Sequence, residues 1–306
     1  FCLFTLTIIY AGVRNGIERV SKFMMPILIV LSVLIAVYSV TRPGAMEGVK
    51  YFLVPNVKNF SWMTVVAAMG QMFYSLSIAM GILITFGSYM KKETSLEDST
   101  RNVEVFDTAI AIMAGLMIIP AVFAFSGGDP DTLQAGPALM FITIPKVFEN
   151  MGFGTVVGIL FFLLVLFAAV TSSIALTESA VSTFEDELGW SRRRATVLVG
   201  VIMIALGSLS SLGYGPLAGI KIIGMQFLDF FDFLTNSVMM PIAAMLTSLF
   251  VSRIVGMKRM EDEIMHGEST FRRKKIFIVM IKYLCPVFAL IILISSVANA
   301  FGWIAM

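Results

Sequence analysis

Three stretches of the chain place hydroxyl, carboxylate or very small residues inside long apolar runs, where unpaired polar groups are costly. The first, residues 70–89, is long enough to cross a bilayer, yet its middle carries Ser75, Ser77, Ala79 and Gly81. A helix broken there frees backbone carbonyl and amide groups, which can coordinate an ion or a polar solute when protein surrounds them. The alternative is close helix packing, because Ser, Ala and Gly let two backbones approach.

The second stretch, residues 168–173, reads Ala-Ala-Val-Thr-Ser-Ser within an apolar run. Ala168, Thr171 and Ser172 are spaced i, i+3 and i+4, so they share one face of a helix. Hard cations prefer oxygen ligands, and the two hydroxyls and the Ala168 carbonyl can face one Na⁺ ion. The alternative is that the hydroxyls bond back to their own helix, which is the commoner outcome.

The third feature is Asp107, which lies two residues into an apolar run that continues to residue 125. A carboxylate at membrane depth is a functional-site hypothesis by default, because burying it unpaired costs several kcal/mol. The alternative is that Asp107 lies at the interface and favours a helix N-terminus from there. Glu178 lies further along the helix that contains residues 168–173. It is predicted to be close to the cytosolic interface and receives no role.

The composition predicts an integral membrane protein. The 306 residues are 58% hydrophobic and 14% charged, with a mean hydropathy of +0.90, whereas soluble domains carry about 25% charged residues. The net charge of +2 gives no indication of nucleic-acid binding, and the single histidine, His266, excludes a histidine-based metal or catalytic cluster. The sequence contains no recognisable nucleophile–base pair or phosphate-binding loop, so we do not expect an enzyme. Cys2 and Cys285 are interpreted as buried thiols.

Apolar runs of about 20 residues predict an all-α polytopic membrane protein in a single transmembrane domain over residues 1–306. The predicted spans are 1–10 (truncated), 24–40, 63–90 (broken near 75–81), 105–125, 156–183, 196–212, 223–251 and 276–301. Since the chain begins and ends inside apolar runs, we expect it to be a fragment of a longer protein.

Basic residues alternate between the predicted loops. They are concentrated in four loops, at residues 14–22, 91–101, 192–194 and 253–275. The loops between them hold only Arg42, Lys50, Lys58, Lys146 and Lys221. Because basic loops stay in the cytoplasm, the four rich loops are predicted to be cytoplasmic.

The predicted outer loop at residues 126–154 contains an apolar stretch at 136–145. This stretch is too short to span a bilayer and too apolar for a solvated loop. We interpret it as a lid, or a re-entrant piece, at the outer mouth of the protein.

Taken together, these residues resemble the neurotransmitter:sodium symporter family, in its bacterial amino-acid transporter branch. The matching pieces occur in family order across nearly the whole chain: 16–19 with 25–26, 71–89, 107–108 with 114–115, 136–137 with 141–143, 171–175, 185–188 and 232–236. The resemblance implies a leucine-transporter-like inverted-repeat fold, an arrangement of discontinuous helices known for this family. This chain would hold the end of the first repeat, the complete second repeat and one further helix, and would lack the first three helices.

The resemblance also implies two sodium sites. Ser75 and Asp107 correspond to the first site, and Ala168, Thr171 and Ser172 to the second. An acid at position 107 resembles the chloride-independent members, in which a fixed negative charge replaces the anion, so chloride is not expected to be required. The region that takes the place of chloride comprises Gln71, Ser75 and Asp107.

The substrate pocket implied by the resemblance comprises Tyr74, Ser75, Ser77, Met80, Ser172 and Leu176. The backbone around residues 75–77 is expected to take the substrate ammonium, while Met80 and Leu176 form an apolar wall. Asp232 corresponds to the acid of the outer gate.

The resemblance therefore implies sodium-coupled symport of neutral, apolar or aromatic amino acids across the bacterial plasma (inner) membrane by alternating access. The expected partners are sodium, the amino acid and the lipid bilayer, with no organic cofactor. Two alternatives stay open: an amino-acid-binding membrane protein that does not transport, and an inactive partial gene product. The sequence leaves open the exact amino acid, the sodium stoichiometry, any proton countertransport and the oligomeric state.

Overall fold

The computed structural model describes residues 1–127, 136–149, 151–266 and 270–303. Within these residues the regular structure is helical, apart from an isolated antiparallel bridge between Ile222 and Met225. The prediction of an all-α protein is thus confirmed.

The α-helices are numbered in chain order. They are α1 Cys2–Tyr10, α2 Arg19–Val40, α3 Ala45–Leu53, α4 Trp62–Ser75, α5 Ile82–Ser88, α6 Leu96–Ser126, α7 Ile144–Glu149, α8 Gly154–Leu188, α9 Arg192–Leu212, α10 Phe227–Asp232, α11 Met240–Phe250, α12 Met257–Ile264, α13 Lys274–Val279 and α14 Cys285–Ala300. Short π-helical turns adjoin several of them: Val13–Glu18, Leu139–Thr143, Phe233–Met239, Val251–Val255 and Met280–Leu284.

In the described part of the chain, six helical stretches are long and apolar enough to cross a membrane. They are Val13–Val40, Leu96–Ser126, Gly154–Leu188, Arg192–Leu212, Phe227–Val255 and Lys274–Ala300. The predicted spans 1–10 and 63–90 correspond to shorter helices, the first to α1 and the second to the pair α4 and α5. Most of the long helices also extend past one or both of the predicted ends, because amphipathic turns continue the helix where the apolar run stops.

The helices form two compact units. The first comprises residue 1 and residues 7–60 and 105–174. Its hydrophobic core is formed by α2, α6, α7 and α8, with the side chains of Leu31, Ile35, Ala36, Met117, Ala121, Val122, Ile144, Val147, Phe148, Val157, Phe161 and Leu164. Gly48 lets α3 approach α6 closely, since a Cβ atom at this position would lie 2.8 Å from Cα of Pro120.

The predicted lid stretch leads directly into this core. Ile144 and Val147 on α7 are fully buried, and the Phe148 ring packs edge-on against that of Phe161, with the centroids 5.4 Å apart. Of the predicted lid loop at 126–154, residues 128–135 and 150 lie outside the described residues. The described end of the lid is therefore anchored on α8 by buried apolar contacts.

The second unit comprises residues 2–6, 61–104 and 175–306, as far as these are described. In it, a buried hydroxyl links α11 to the π-helical turn before α14, where Ser248 Oγ donates to the carbonyl of Ile281. The N–H of Cys285 bonds to the Met280 carbonyl, and Pro286 has no N–H to offer the next carbonyl. The Ile281 carbonyl therefore lacks a backbone donor, and the Ser248 hydroxyl donates to it instead.

An ion-pair cluster joins the segment before α13 to the beginning of α6 in the same unit. The Arg273 guanidinium donates to both carboxylate oxygens of Glu104, at 3.0 and 2.8 Å, and the Arg272 N–H donates to Glu97 at 3.1 Å. The hydrogen bond to Glu104 raises the pKa of Arg273. Since these groups are solvent-accessible, the cluster fixes geometry more than it adds stability.

Candidate ion and substrate site

The helix that the sequence predicts to be broken consists of α4 and α5, with residues 76–81 between them. A capping box starts α4: Ser61 Oγ accepts from the Thr64 N–H at 3.2 Å, and Thr64 Oγ1 accepts from the Ser61 N–H at 3.3 Å. The break follows from three left-handed residues, Ser77 at φ 54°, Ala79 at φ 64° and Gly81 at φ 78°. Alternating left-handed residues cannot continue the α-helical ladder of hydrogen bonds.

Two of these residues carry a Cβ atom, so the break is strained. The left-handed conformation costs a non-glycine residue about 1–2 kcal/mol, and both Ser77 and Ala79 adopt it. Such strain persists only where the surrounding structure fixes the backbone, and it is concentrated at ligand-binding and switching sites. The strained break therefore marks this segment as a candidate binding element.

Hydroxyl groups on α8 hold the second half of the broken helix. Thr85 Oγ1 on α5 lies 3.4 Å from Ser179 Oγ and 3.3 Å from Ser182 Oγ. Ser179 Oγ also donates to the Met80 carbonyl at 3.5 Å. A Cβ atom at Gly81 would lie 2.6 Å from Ser179 Oγ, so only glycine permits this approach. The freed backbone at the end of the break thus meets a polar face of α8.

A buried carboxylate lies next to these hydroxyls. Glu178 is completely buried, and its Oε1 accepts hydrogen bonds from the Tyr89 hydroxyl at 2.8 Å and from Arg192 Nη1 at 3.2 Å. Arg192 also binds the second oxygen of Glu178 and, at 3.2 Å, Glu185. A buried carboxylate is tolerated when it is paired and hydrogen-bonded in this way.

Sequence reasoning gave Glu178 no role, and the structure shows a fully buried group at the centre of a network. One signal was available: Glu178 is the only charged residue between Gly154 and Phe184. Its partner Tyr89 is 89 positions away along the chain, so no local pattern could pair the two.

The predicted second sodium site, with Ala168, Thr171 and Ser172 on α8, lies in the first unit. Thr171 Oγ1 donates to the carbonyls of Phe167 at 3.1 Å and Ala168 at 3.0 Å, while the Ser172 side chain is exposed. The Thr171 hydroxyl thus bonds back to its own helix, as the alternative to a sodium site predicts. Donation uses only the hydroxyl hydrogen, and the lone pairs of the Thr171 oxygen remain able to coordinate a cation. The oxygens of Ala168 and Thr171 therefore lie together on one helix face.

The remaining predicted residues are divided between the two units. Asp107 on α6 is half-buried in the first unit, and Ser75 at the end of α4 belongs to the second. The residues predicted for the first sodium site belong to different units, and this site stays a prediction. Gln71, Tyr74, Ser77, Met80, Leu176 and Asp232 also belong to the second unit. Asp232 is exposed and accepts a hydrogen bond from the Asn236 amide.

The available ligands in both units are hydroxyl, carbonyl and carboxylate oxygens, which suit a hard cation. Among the described residues, no group of three or more His, Cys, Asp or Glu side chains could hold a metal ion. A helical membrane protein whose polar groups are concentrated around a discontinuous helix has the features of a secondary transporter.

Comparison with known proteins gives the family. Residues 1–302 match the model of the sodium:neurotransmitter symporter family, and the chain belongs to this family. Its members are transporters rather than enzymes, which confirms both the resemblance and the prediction that the chain is not an enzyme.

Bacterial relatives agree with this assignment. The uncharacterized sodium-dependent transporter YhdH of Bacillus subtilis is 35% identical over 269 residues, which are 88% of this chain and 59% of YhdH. A sodium-dependent transporter of Haemophilus influenzae is 32% identical over 297 residues, which are 97% of this chain and 64% of the relative. The chain spans about three fifths of the length of these relatives.

Among solved structures, the chain is similar to MhsT in complex with L-phenylalanine. The identity is 37% and the TM-score 0.84, and the match covers 97% of this chain and 66% of MhsT. This similarity confirms the predicted leucine-transporter-like fold.

The break allows a first prediction. Replacing Ala79 by Gly removes the Cβ atom from a left-handed residue, and we expect it to raise the free energy of unfolding by about 1 kcal/mol. The opposite change at Gly81, to Ala, introduces both a strained φ and a clash with Ser179, and we expect a loss of more than about 1 kcal/mol. Chemical unfolding in detergent measures both. Equal effects of the two variants would contradict the described backbone.

The buried carboxylate allows a second prediction. Replacing Arg192 by Ala leaves Glu178 buried without its cationic partner, and we expect a loss of about 3–5 kcal/mol in the free energy of unfolding. The double variant Glu178→Gln with Arg192→Ala removes the unpaired charge and should recover a large part of that loss. A double variant as unstable as Arg192→Ala alone would show that the pair does not interact.

Proposed function

We propose that this chain is part of a sodium-coupled symporter for neutral amino acids with apolar or aromatic side chains, working by alternating access in the bacterial inner membrane. The observation that carries the proposal is the strained break between α4 and α5. It is supported by membership of the sodium:neurotransmitter symporter family and by the relatives named as sodium-dependent transporters. The similar MhsT structure, a complex with L-phenylalanine, supports the substrate class.

In this proposal, Na⁺ binds two sets of oxygen ligands. One ion takes the Ala168 carbonyl and the hydroxyls of Thr171 and Ser172. A second takes Ser75 and Asp107, with further ligands from the rest of the longer protein. The Asp107 carboxylate supplies a permanent negative charge beside the ion, so that no chloride is needed to balance it. Gln71 completes the polar surroundings of that charge.

The amino acid binds at the break. Its ammonium group is held by carbonyls of the non-helical backbone around residues 75–77, since unwound backbone offers acceptors that a continuous helix uses internally. Tyr74, Ser77 and Ser172 add polar contacts around the backbone of the substrate. Met80 and Leu176 provide the apolar wall for its side chain, and the flexible thioether of Met80 adapts to side chains of different shape.

Alternating access depends on α5 leaving and rejoining α8. The contacts of Thr85 with Ser179 and Ser182, and of Tyr89 with Glu178, close this side of the broken helix. Because hydrogen bonds weaken steeply with distance and angle, a modest shift of α5 breaks these contacts together. We place this side in the cytoplasm, with the basic loops at 14–22, 91–101, 192–194 and 253–275. The lid at 136–145 and Asp232 then face the outside.

The experiment that tests the proposal is uptake of radiolabelled phenylalanine and leucine into proteoliposomes that contain the protein carrying this chain. We expect accumulation with an inward Na⁺ gradient and none when K⁺ replaces Na⁺, because the sites are built for a bare Na⁺ ion. Saturable uptake that is indifferent to this replacement would overturn sodium coupling. Binding of phenylalanine without accumulation would instead identify a binding protein.

Asp107 provides a third prediction. Asp107→Asn removes the negative charge, and we expect either a loss of about tenfold in apparent Na⁺ affinity, equivalent to about 1.4 kcal/mol, or a new requirement for chloride. Asp98→Asn is the matched control, because Asp98 is exposed near the start of the same helix. Uptake measured over a range of Na⁺ and Cl⁻ concentrations distinguishes the two. An Asp107→Asn variant identical to wild type in both respects would remove Asp107 from the site.

A further inference from the structure

A groove of about 750 Å³ runs along the exposed face of the first half of α9 in the second unit. It is lined by Trp190, Ser191, Arg193, Arg194, Val197, Leu198 and Val201. None of these residues belongs to the proposed transport site, so the groove requires an explanation of its own.

The charged end of the groove carries two arginines without an ion-pair partner in the described part of the chain. Arg192 points inward and binds Glu178 and Glu185. Its neighbours Arg193 and Arg194 are exposed, and neither forms an ion pair with any described residue. Two adjacent guanidinium groups at one site favour an anionic ligand, and their fork-shaped donors match phosphate oxygens.

The rest of the groove is apolar and faces away from the protein. Arg194, Val197, Leu198 and Val201 are spaced i, i+3, i+4 and i+7, which places them along one face of α9. Val197 and Val201 are each 60% exposed, although this is a helix long and apolar enough to cross a membrane. The opposite face of the same turns is buried and consists of Ala195, Thr196, Val199 and Gly200. No described residue covers this face, and an uncovered apolar face on a helix of this length and composition is available to lipid.

The dimensions of the groove fit a lipid tail. Eight residues separate Arg193 from Val201, a rise of about 12 Å along the helix axis. This length is close to half of the hydrocarbon thickness of a bilayer, about 15 Å. A chain that begins at the arginines and follows the valines therefore reaches nearly to the middle of the membrane.

Trp190 marks the depth of the charged end. Its ring stacks on Phe184, with the centroids 5.8 Å apart and the planes at 19°, and it remains 37% exposed. Tryptophan is enriched at the level of lipid headgroups, where one edge of the ring is apolar and the other wet. The stacked ring thus places Arg193 and Arg194 at the headgroup region and Val197 to Val201 below it.

We propose that this groove binds one anionic phospholipid. The phosphate lies between the guanidinium groups of Arg193 and Arg194, Trp190 packs at the glycerol level, and one acyl chain follows Val197, Leu198 and Val201. Two arginines that no described residue pairs, together with an apolar track of acyl length, are complementary to this class of ligand. The inference does not depend on what the protein transports.

The test uses the fluorescence of Trp190, in a variant in which every other tryptophan, Trp62 and Trp303 included, is replaced by Phe. The protein is reconstituted in bilayers that contain either phosphatidylglycerol or phosphatidylcholine with brominated acyl chains, which quench tryptophan on contact. The two arginines together add about 2 kcal/mol to the attraction for anionic lipid. We therefore expect half-maximal quenching at an about thirtyfold lower mole fraction of brominated phosphatidylglycerol than of brominated phosphatidylcholine. The double variant Arg193→Gln with Arg194→Gln should lose this preference.

A matched control separates the groove from the general charge of the surface. Lys91→Gln with Lys92→Gln removes the same charge at two exposed positions on another loop and should keep the preference. Arg193→Lys with Arg194→Lys should keep most of it. Unfolding temperatures equal to that of the parent confirm that the variants are folded.

Several outcomes would overturn the proposal. Equal quenching by the two lipids in the parent protein would show no headgroup selectivity. An equal loss in the Lys91 and Lys92 control would assign the preference to surface potential. Relief of quenching by millimolar inorganic phosphate would show that the charged end alone binds an anion. Absence of quenching by either lipid, together with a dimer in solution, would assign the groove to a second copy of the chain.

Discussion

A backbone that leaves the helical conformation inside a membrane must find hydrogen-bond partners in the protein, since lipid offers none. The segment between α4 and α5 meets this constraint in two ways. Within the break, the Ile78 N–H bonds back to the Phe73 carbonyl at 3.1 Å. At its end, Ser179 reaches the Met80 carbonyl, and Gly81 leaves the space for that contact. The polar face of α8 therefore makes the break possible, and the break leaves the backbone acceptors on which the proposed substrate site depends.

The same half of α8 also carries the most costly group of the second unit, the buried carboxylate of Glu178. Its burial is compensated by Tyr89 and Arg192, which lie on different helices. A network of this kind contributes specificity of arrangement more than net stability, because desolvation offsets much of the attraction. In the proposed transport cycle, this network belongs to the closure between α5 and α8, because the hydrogen bond from Tyr89 to Glu178 is lost when α5 moves away.

Neighbouring residues of identical type have different surroundings in this structure. Arg192, Arg193 and Arg194 are consecutive, and each step along a helix turns the side chain by about 100°. Arg192 turns towards the acids of α8, whereas the next two point outward beside an apolar face. The same rotation explains why Val197 and Val201 are exposed while Val199 is buried. From composition alone, these three arginines form a single basic loop. Their different environments depend on the direction in which each side chain leaves the helix.

The sequence by itself determined the membrane class, the helical fold, the family and the residues at which a continuous helix is unfavourable. These properties depend on local composition, on periodicity and on motifs that are contiguous in the chain. Tertiary structure decided which distant groups meet. From the sequence, Glu178 was predicted to lie at the interface, whereas in the structure it is buried and bonded to Tyr89 and Arg192. Ala79 adopts a left-handed backbone, which residues with a Cβ atom disfavour. The physical reason is that burial and strain are set by neighbours remote in sequence, and no local pattern encodes the packing that brings them together.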